Sequence, residues 1–288
     1  MNRKSTGKDK IFDIIIMVLM GLIALLFLLP LINVLASSFS SADAVVAGKV
    51  GLFPVGFSLE GYKIVFSDSK IIKGFANSIL YTTIGTIIQV TCQILCAYPL
   101  SRRDFKGRKV INLFLVLTMF LSGGMIPAYI LITGLGLYDT MWAIILPGCI
   151  SVFNIIVIRT YMQSSIPMEL QEAAMIDGCS DFNIFLRIVL PLCRPIIAVM
   201  LLYSVVGYWN NYFNALMYVQ NTDLYPLQNV LNNILVSNQS SLGGGTDVNL
   251  SEQLKYVTIV VSSLPLLIIY PFFQKYFEKG VTIGGIKG

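Results

Sequence analysis

The sequence predicts an all-α, polytopic membrane protein of six spans, and three observations carry that reading. Hydrophobic residues make up 56% of the 288 and charged ones 12%, against about 25% charged in an ordinary soluble domain. Mean hydropathy is +0.76, too apolar for a chain that must stay dispersed in water. The charges gather in loops that separate six uncharged stretches, at 14–42, 74–101, 110–138, 140–158, 195–222 and 256–274. A helix rises ~1.5 Å per residue, so about 20 apolar residues cross a ~30 Å hydrocarbon core. Each stretch suffices for one crossing and none for two.

In chain order, residues 1–13 form a basic, cytoplasmic N-terminal segment. The first span, at about 14–36, exceeds the 7–15-residue core of a cleavable signal peptide, although Val34-Leu35-Ala36 resembles a cleavage site. The other spans fall at about 76–100, 110–132, 140–158, 195–218 and 256–274, so that 14–277 is one transmembrane domain followed by a cytoplasmic tail, 278–288. An even number of spans puts both termini on one side. Placing them in the cytoplasm leaves 15 of the 20 basic residues inside and only Lys49, Lys63, Lys70, Lys73 and Lys255 outside. The densest cluster, Arg102-Arg103-Asp104-Phe105-Lys106-Gly107-Arg108-Lys109, is a short loop of the kind on which the positive-inside rule acts best. It is read as a topology determinant in a multi-pass cell membrane protein, not as a nucleic-acid patch.

The composition also excludes. Without histidine there is no Ser-His-Asp or Cys-His nucleophile, no His-ligated zinc or haem and no histidine pH switch. No Asp, Glu, Lys or Arg lies inside the six stretches, whereas ion-coupled transporters and proton pumps place ionisable groups at membrane depth. The phosphate-cradling pattern GxxxxGK[ST] is missing. The chain is therefore expected to be no enzyme and to hold no metal or cofactor; if it moves solute uphill, another subunit supplies the energy. Cys92, Cys96 and Cys149 lie in spans, Cys179 and Cys193 in an inner loop, and none forms a CxxC pair, so all five read as free thiols.

The longest inner connection, Arg159–Arg194, is the informative one. Pro167 suits the first turn of a short helix, Glu169 and Glu172 sit where the helix dipole favours negative charge, and Gly178 suits the left-handed residue that ends it. Ser180 suits the N-cap of a second helix, Asp181–Leu190, with Pro191 as its stop. Phe182, Phe185, Ile188 and Val189 then share one apolar face. In the first helix Ala173 and Ala174 beside Glu172 allow another surface to approach the backbone closely, with one charged anchor. Helix propensity alone accounts for the alanines equally well.

Glu172-Ala173-Ala174, three residues, Gly178, nine residues, Ile188, one residue, then Leu190-Pro191 resembles, at all seven fixed positions, the EAA loop of binding-protein-dependent ABC importer permeases. The resemblance runs over essentially the whole chain. It includes Phe57-Ser58-Leu59-Glu60-Gly61-Tyr62 in the first outer loop, Trp209-Asn210 in span 5 and the closing Lys279-Gly280-Val281…Gly284-Gly285…Lys287-Gly288. The chain is similar to the second permease of maltose-type, multi-sugar importers. That resemblance implies a type I importer permease (MetI-like) architecture with a cytoplasmic coupling helix. Its implied partners are a second permease subunit, a cytoplasmic ATPase dimer, an extracellular or periplasmic solute-binding protein, a carbohydrate substrate and membrane lipid. Glu172, Ala173, Ala174 and Gly178 would then form the ATPase contact, with Ile188, Leu190 and Pro191 joining it to span 5.

Span 5 carries Tyr203, Tyr208, Trp209, Asn210, Asn211, Tyr212 and Asn214. Aromatic faces stack on sugar C–H surfaces and amides exchange hydrogen bonds with hydroxyls. In one continuous helix Asn210 and Asn214, and Tyr208 and Tyr212, are each a turn apart, giving two stripes. One stripe lines a solute path, or both serve helix packing and an interfacial aromatic belt. The outer segment with Pro226, Leu227, Val230, Leu231 and Ile234 at helical spacing, followed by Gly243-Gly244-Gly245, is similar to the family loop that meets the binding protein. The function read from the sequence is the permease of an oligosaccharide importer working by alternating access. The same machine carrying a polyol or glycerophosphodiester is the alternative, ahead of a secondary transporter or channel.

Overall fold

The computed structural model describes residues 7–121, 123–240 and 247–284. Among them the regular elements are helices. α1 (Gly7–Ser38), α2 (Ala42–Val46), α3 (Glu60–Ser67) and α4 (Ser69–Ser101) come first, then α5 (Arg108–Phe120), α6 (Met125–Gly134), α7 (Met141–Ile145) and α8 (Val152–Ser165). α9 (Met168–Ile176) and α10 (Asp181–Ile184) follow, and a π turn over Phe185–Val189 leads into α11 (Leu190–Leu192). α12 (Arg194–Trp209), α13 (Phe213–Tyr218), α14 (Leu227–Ser240) and α15 (Asp247–Gly284) complete the order. Residues 1–6, the Gly243-Gly244-Gly245 run and the closing residues 285–288 lie outside the described residues.

Among the described residues, three helices are long and apolar enough to cross a membrane unbroken: Lys10–Ser38, Ser69–Ser101 and Glu252–Gln274. Three further crossings qualify only as pairs, Arg108–Phe120 with Met125–Gly134, Met141–Gly148 with Val152–Ser165 (bent by 47°), and Asp181–Leu192 with Arg194–Trp209 (bent by 77°). The helices expected to run continuously over 110–132, 140–158 and 195–218 are thus each divided. Gly123 and Gly124 stand at the first break, with Gly124 at φ +84°. At the second, Pro147 offers no amide hydrogen and the chain tightens into a 3₁₀ turn at Leu146–Gly148. The third stretch ends its helix at Trp209 and restarts at Phe213.

Two compact units divide the chain: Met1–Ser69 with Leu231–Leu264, and Lys70–Val230 with Pro265–Gly288. In the first, α3 packs on α15 so closely that a Cβ on Gly61 would stand 2.9 Å from Val257 Cγ2. Gln253 Nε2 donates to the Ser40 carbonyl at 2.7 Å, Ser38 Oγ and Tyr62 OH share a 2.9 Å hydrogen bond, and Phe39 stacks on both Phe57 and Tyr62. Gly61 and Tyr62 of the family-like outer segment are therefore packing residues, while Phe57 touches Phe39 and is otherwise exposed. The apolar side chains of α1 from Ile11 to Leu29 stay exposed, as a lipid-facing helix requires.

In the second unit α4 is the spine. Near its start Asn77 Nδ2 donates to the carbonyls of Asp223 and Tyr225, Tyr81 OH donates to that of Leu224, and Ser78 Oγ accepts the Leu227 amide at 2.8 Å. Asp139, at φ +57°, adds to this end by accepting the amides of Gln220 and Asn221 on its carboxylate. Past the other end of α4, Arg102 bonds to Asp181. Asn77 and Ser101 are separated by about 36 Å along the helix, so the basic loop and the 159–194 segment meet at one end, and the 139 and 220–227 loops at the other. Between them Val90, Ile94, Ala97 and Leu100 build a core with Ile155, Ile158 and Met162 of α8 and with Ile196 and Met200 of α12.

Candidate functional site: a coupling segment and a polar cleft

The 159–194 segment folds from its own caps. Pro167 takes the N-cap position of α9, one residue earlier than expected, and Gly178 ends the turn at φ +80°. Ser180 Oγ accepts the Asn183 amide as N-cap of the next helix. That helix does not stop at Pro191. The π turn at Phe185–Val189 carries it through to Leu192, widening the backbone just ahead of the residue that lacks an amide hydrogen. The expected apolar face is only partly covered. Phe185 and Val189 are buried with Ile184, Ile188 and Leu190 pack partly against the same core, and Phe182 is exposed. Pro191 is exposed as well.

α9 is two-faced. Gln171 and Ala174 turn inward, Ala174 into the core beneath. Outward point Leu170, Ala173 and Ile176, three residues apart along one stripe, with Ile176 87% exposed, flanked by the exposed carboxylates of Glu169 and Glu172. An apolar stripe rimmed by carboxylates has the chemistry that suits docking of a partner. The two adjacent alanines thus have separate roles: Ala173 lies on the open face and Ala174 holds the helix down.

Some distance along α4 a cleft of about 300 Å³ opens, lined by Gln89, Gly148, Ser151, Asn154, Tyr203, Ser204, Gly207, Tyr208 and Asn211. No lining side chain is ionisable near neutral pH, and seven carry a hydroxyl or amide. It is built by broken helices. Where Pro147 interrupts the end of α7, the Ile144 carbonyl accepts Nδ2 of both Asn211 and Asn214 (3.1 and 3.4 Å), and the Ile145 carbonyl accepts Tyr208 OH at 3.0 Å. In a membrane a freed carbonyl has no water to turn to, so side chains of the neighbouring span must satisfy it. Asn211 Oδ1 in turn accepts the Asn214 amide at the start of α13. Gln89 Nε2 holds the Gly148 carbonyl at 2.6 Å, leaving its Oε1 for the cleft. Ser204 Oγ is buried with no hydrogen-bond partner among the described residues.

The break at Asn210–Tyr212 dissolves the two expected stripes of span 5. Tyr208 and Asn211 reach the cleft. Trp209 is buried on another side, edge-on to Phe75 at 5.7 Å, beside an apolar cavity. Asn210 is exposed with its amide on the Val206 carbonyl, Asn214 is spent on Ile144, and the Tyr212 carbonyl accepts Asn229 Nδ2. Gln89, Ser151 and Asn154 were missed in reading the sequence. Their signal was present, as amides and a hydroxyl inside uncharged spans.

Residues 89–283 match the family described as binding-protein-dependent transport system inner membrane component. The chain is similar to the polygalacturonan/rhamnogalacturonan transport system permease protein YtcP of Bacillus subtilis (strain 168), 40% identical with 98% of this chain and 100% of that one covered. It is also similar to the arabinooligosaccharides transport system permease protein AraQ of the same organism, 31% identical over 93% of each. Among solved structures, a chain of a bacterial ABC transporter involved in the import of the acidic polysaccharide alginate superposes with a TM-score of 0.85 at 32% identity, covering 96% of this chain and 100% of that one.

Proposed function

Because the chain belongs to the binding-protein-dependent transport system inner membrane components, we propose that it is the membrane-spanning permease subunit of an ATP-powered importer of oligosaccharides. It works by alternating access. A second permease completes the path, a cytoplasmic ATPase pair binds ATP and Mg and supplies the energy, and a solute-binding protein delivers the sugar. The observation that carries the reading is the pairing, in one unit, of an outward-facing docking helix (α9) with an uncharged polar cleft on the same spine helix. Amides and hydroxyls in the cleft suit sugar hydroxyls, and the exposed ring of Tyr203 suits a pyranose face. Lacking lysine and arginine, the cleft reads hydroxyls and ring faces on this subunit rather than carboxylates.

The direct test is to purify the chain with its partners and find the oligosaccharide that, with its binding protein, stimulates ATP hydrolysis. Stimulation by no saccharide, but by a polyol or glycerophosphodiester, would move the substrate class. Within that assay Asn154→Leu should lower transport roughly tenfold, the effect of one lost hydrogen bond of about 1.4 kcal/mol, with the complex still assembled. Unchanged transport would take Asn154 out of the path.

The coupling segment, the loop at Arg102 and both termini are assigned to the cytoplasm. A thiol introduced at Lys106 should escape an impermeant reagent on intact cells and one at Thr222 should react. The reverse pattern overturns the orientation.

A further inference from the structure

Among the described residues Arg102 is the one buried arginine, its side chain only 8% exposed. It sits one residue past the end of α4, and its guanidinium is fully engaged. Nε and Nη2 grip both oxygens of Asp104 at 3.0 and 2.7 Å, Nη1 donates to Asp181 Oδ1 at 2.7 Å and to Tyr98 OH at 3.2 Å, and Nη2 approaches Met175 Sδ at 3.7 Å. The hydrogen bond from Arg102 holds the Asp104 carboxyl below the usual carboxylate range. Met175 and Asp181 lie on the two sides of the Gly178 turn, one in α9 and the other opening α10. The grip is reinforced nearby. Gln163 Nε2 donates to the Ser101 carbonyl, Arg108 Nη1 to that of Arg102, and the ring of Tyr98 leans on that of Phe185 at 4.8 Å.

A surface carboxylate meeting a mobile lysine would hold little. A planar, five-donor guanidinium buried against two carboxylates, a phenol and a thioether fixes position as well as distance. The same α4 carries Gln89 on the cleft and Gly85 under Tyr208. A helix is stiff along its axis, so whatever moves its inner end moves those contacts too.

We infer that Arg102 is a positioning residue that clamps the coupling turn to α4, so that displacement of α9 by its partner is delivered to the cleft. This rests on the reading of α9 as the coupling helix. It assigns a transmission role to α4, in addition to the route through Leu190-Pro191 into span 5.

The test uses the assembled importer, with spin labels on Cys96 in α4 and Cys179 in the coupling turn, both exposed, and with Cys92 replaced by Ala. The wild-type pair should keep one narrow distance with and without ATP. Arg102→Gln, and Asp181→Asn, which leaves the Arg102–Asp104 contact in place, should broaden that distance or make it depend on nucleotide. Sugar carried per ATP hydrolysed should fall roughly tenfold, within the range of measured coupling. Asp181→Glu should restore both readings. Wild-type distances and wild-type sugar per ATP in both variants would overturn the inference, and so would lower complex yield with both readings unchanged. The distance measurement needs no sugar. If no saccharide stimulates the wild type, the importer reading fails while the clamp is still decided.

Discussion

Glu172→Lys is expected to abolish transport while leaving the protein inserted and folded. The side chain is exposed beside the apolar stripe of Leu170, Ala173 and Ile176, so the reversal costs the fold little and acts on what docks there. Turning an attractive interfacial charge into a repulsive one weakens docking by about a hundredfold or more, since several kcal/mol are involved. The ATPase should be lost on purification or cease to respond to substrate. Ala174 is the internal control. It faces the core, so Ala174→Glu should fail as a folding defect, with low yield in the membrane, whereas Ala173→Glu should fold and lose only docking. Gly178→Val belongs with the docking variants for a different reason. A Cβ there meets nothing within 4 Å, so the penalty is the left-handed backbone at φ +80°, about 1–2 kcal/mol and more for a β-branched residue. Normal transport by Glu172→Lys would remove α9 from the coupling path and with it the main support for the proposed function.

The all-helical class and the uncharged stretches were legible in the sequence because both follow from composition and length alone. So were the local caps around α9, where Gly178 and Ser180 act within a few residues of themselves. The helix breaks were not. Whether span 5 continues past Trp209 depends on the Ile144 carbonyl, 67 and 70 residues away from the asparagines that satisfy it, and no local pattern encodes that bond. The inward turn of Ala174 escaped for a similar reason: adjacent alanines look alike until a neighbouring core claims one. Phe182 is exposed where Phe185 is buried, a difference set by what each side chain meets and not by its place in a fixed 3.6-residue period. At the cleft, span 5 is conspicuous for its aromatics and asparagines, yet Gln89 of span 2 and Ser151 and Asn154 of span 4 supply three of the seven hydroxyl and amide groups of the wall.

Gly85→Ala should be as damaging as the charge reversal, by a route wholly inside the membrane. The missing side chain lets α4 and α12 approach until a Cβ on residue 85 would stand 2.6 Å from Cε1 and Cζ of the Tyr208 ring. Real carbon contacts open at roughly 3.5 Å, so either the ring or a helix must move. The ring has little freedom. Its hydroxyl is bonded to the Ile145 carbonyl, and Gly148 lies against it on another side, a Cβ there falling 3.5 Å from the hydroxyl oxygen. Overpacking of this kind costs about 1–3 kcal/mol, and here it also pushes apart helices that line the cleft. Transport should collapse and the melting temperature of the purified complex should drop. Tyr208→Phe should be milder, losing one hydrogen bond and no packing. In the double variant Gly85→Ala/Tyr208→Ala the added methyl enters the space the ring vacates, so the combined loss of stability should be less than the sum of the single losses, the mark of direct contact. Additive losses would show that Gly85 and Tyr208 do not touch, and that the close approach of α4 and α12 does not shape the cleft.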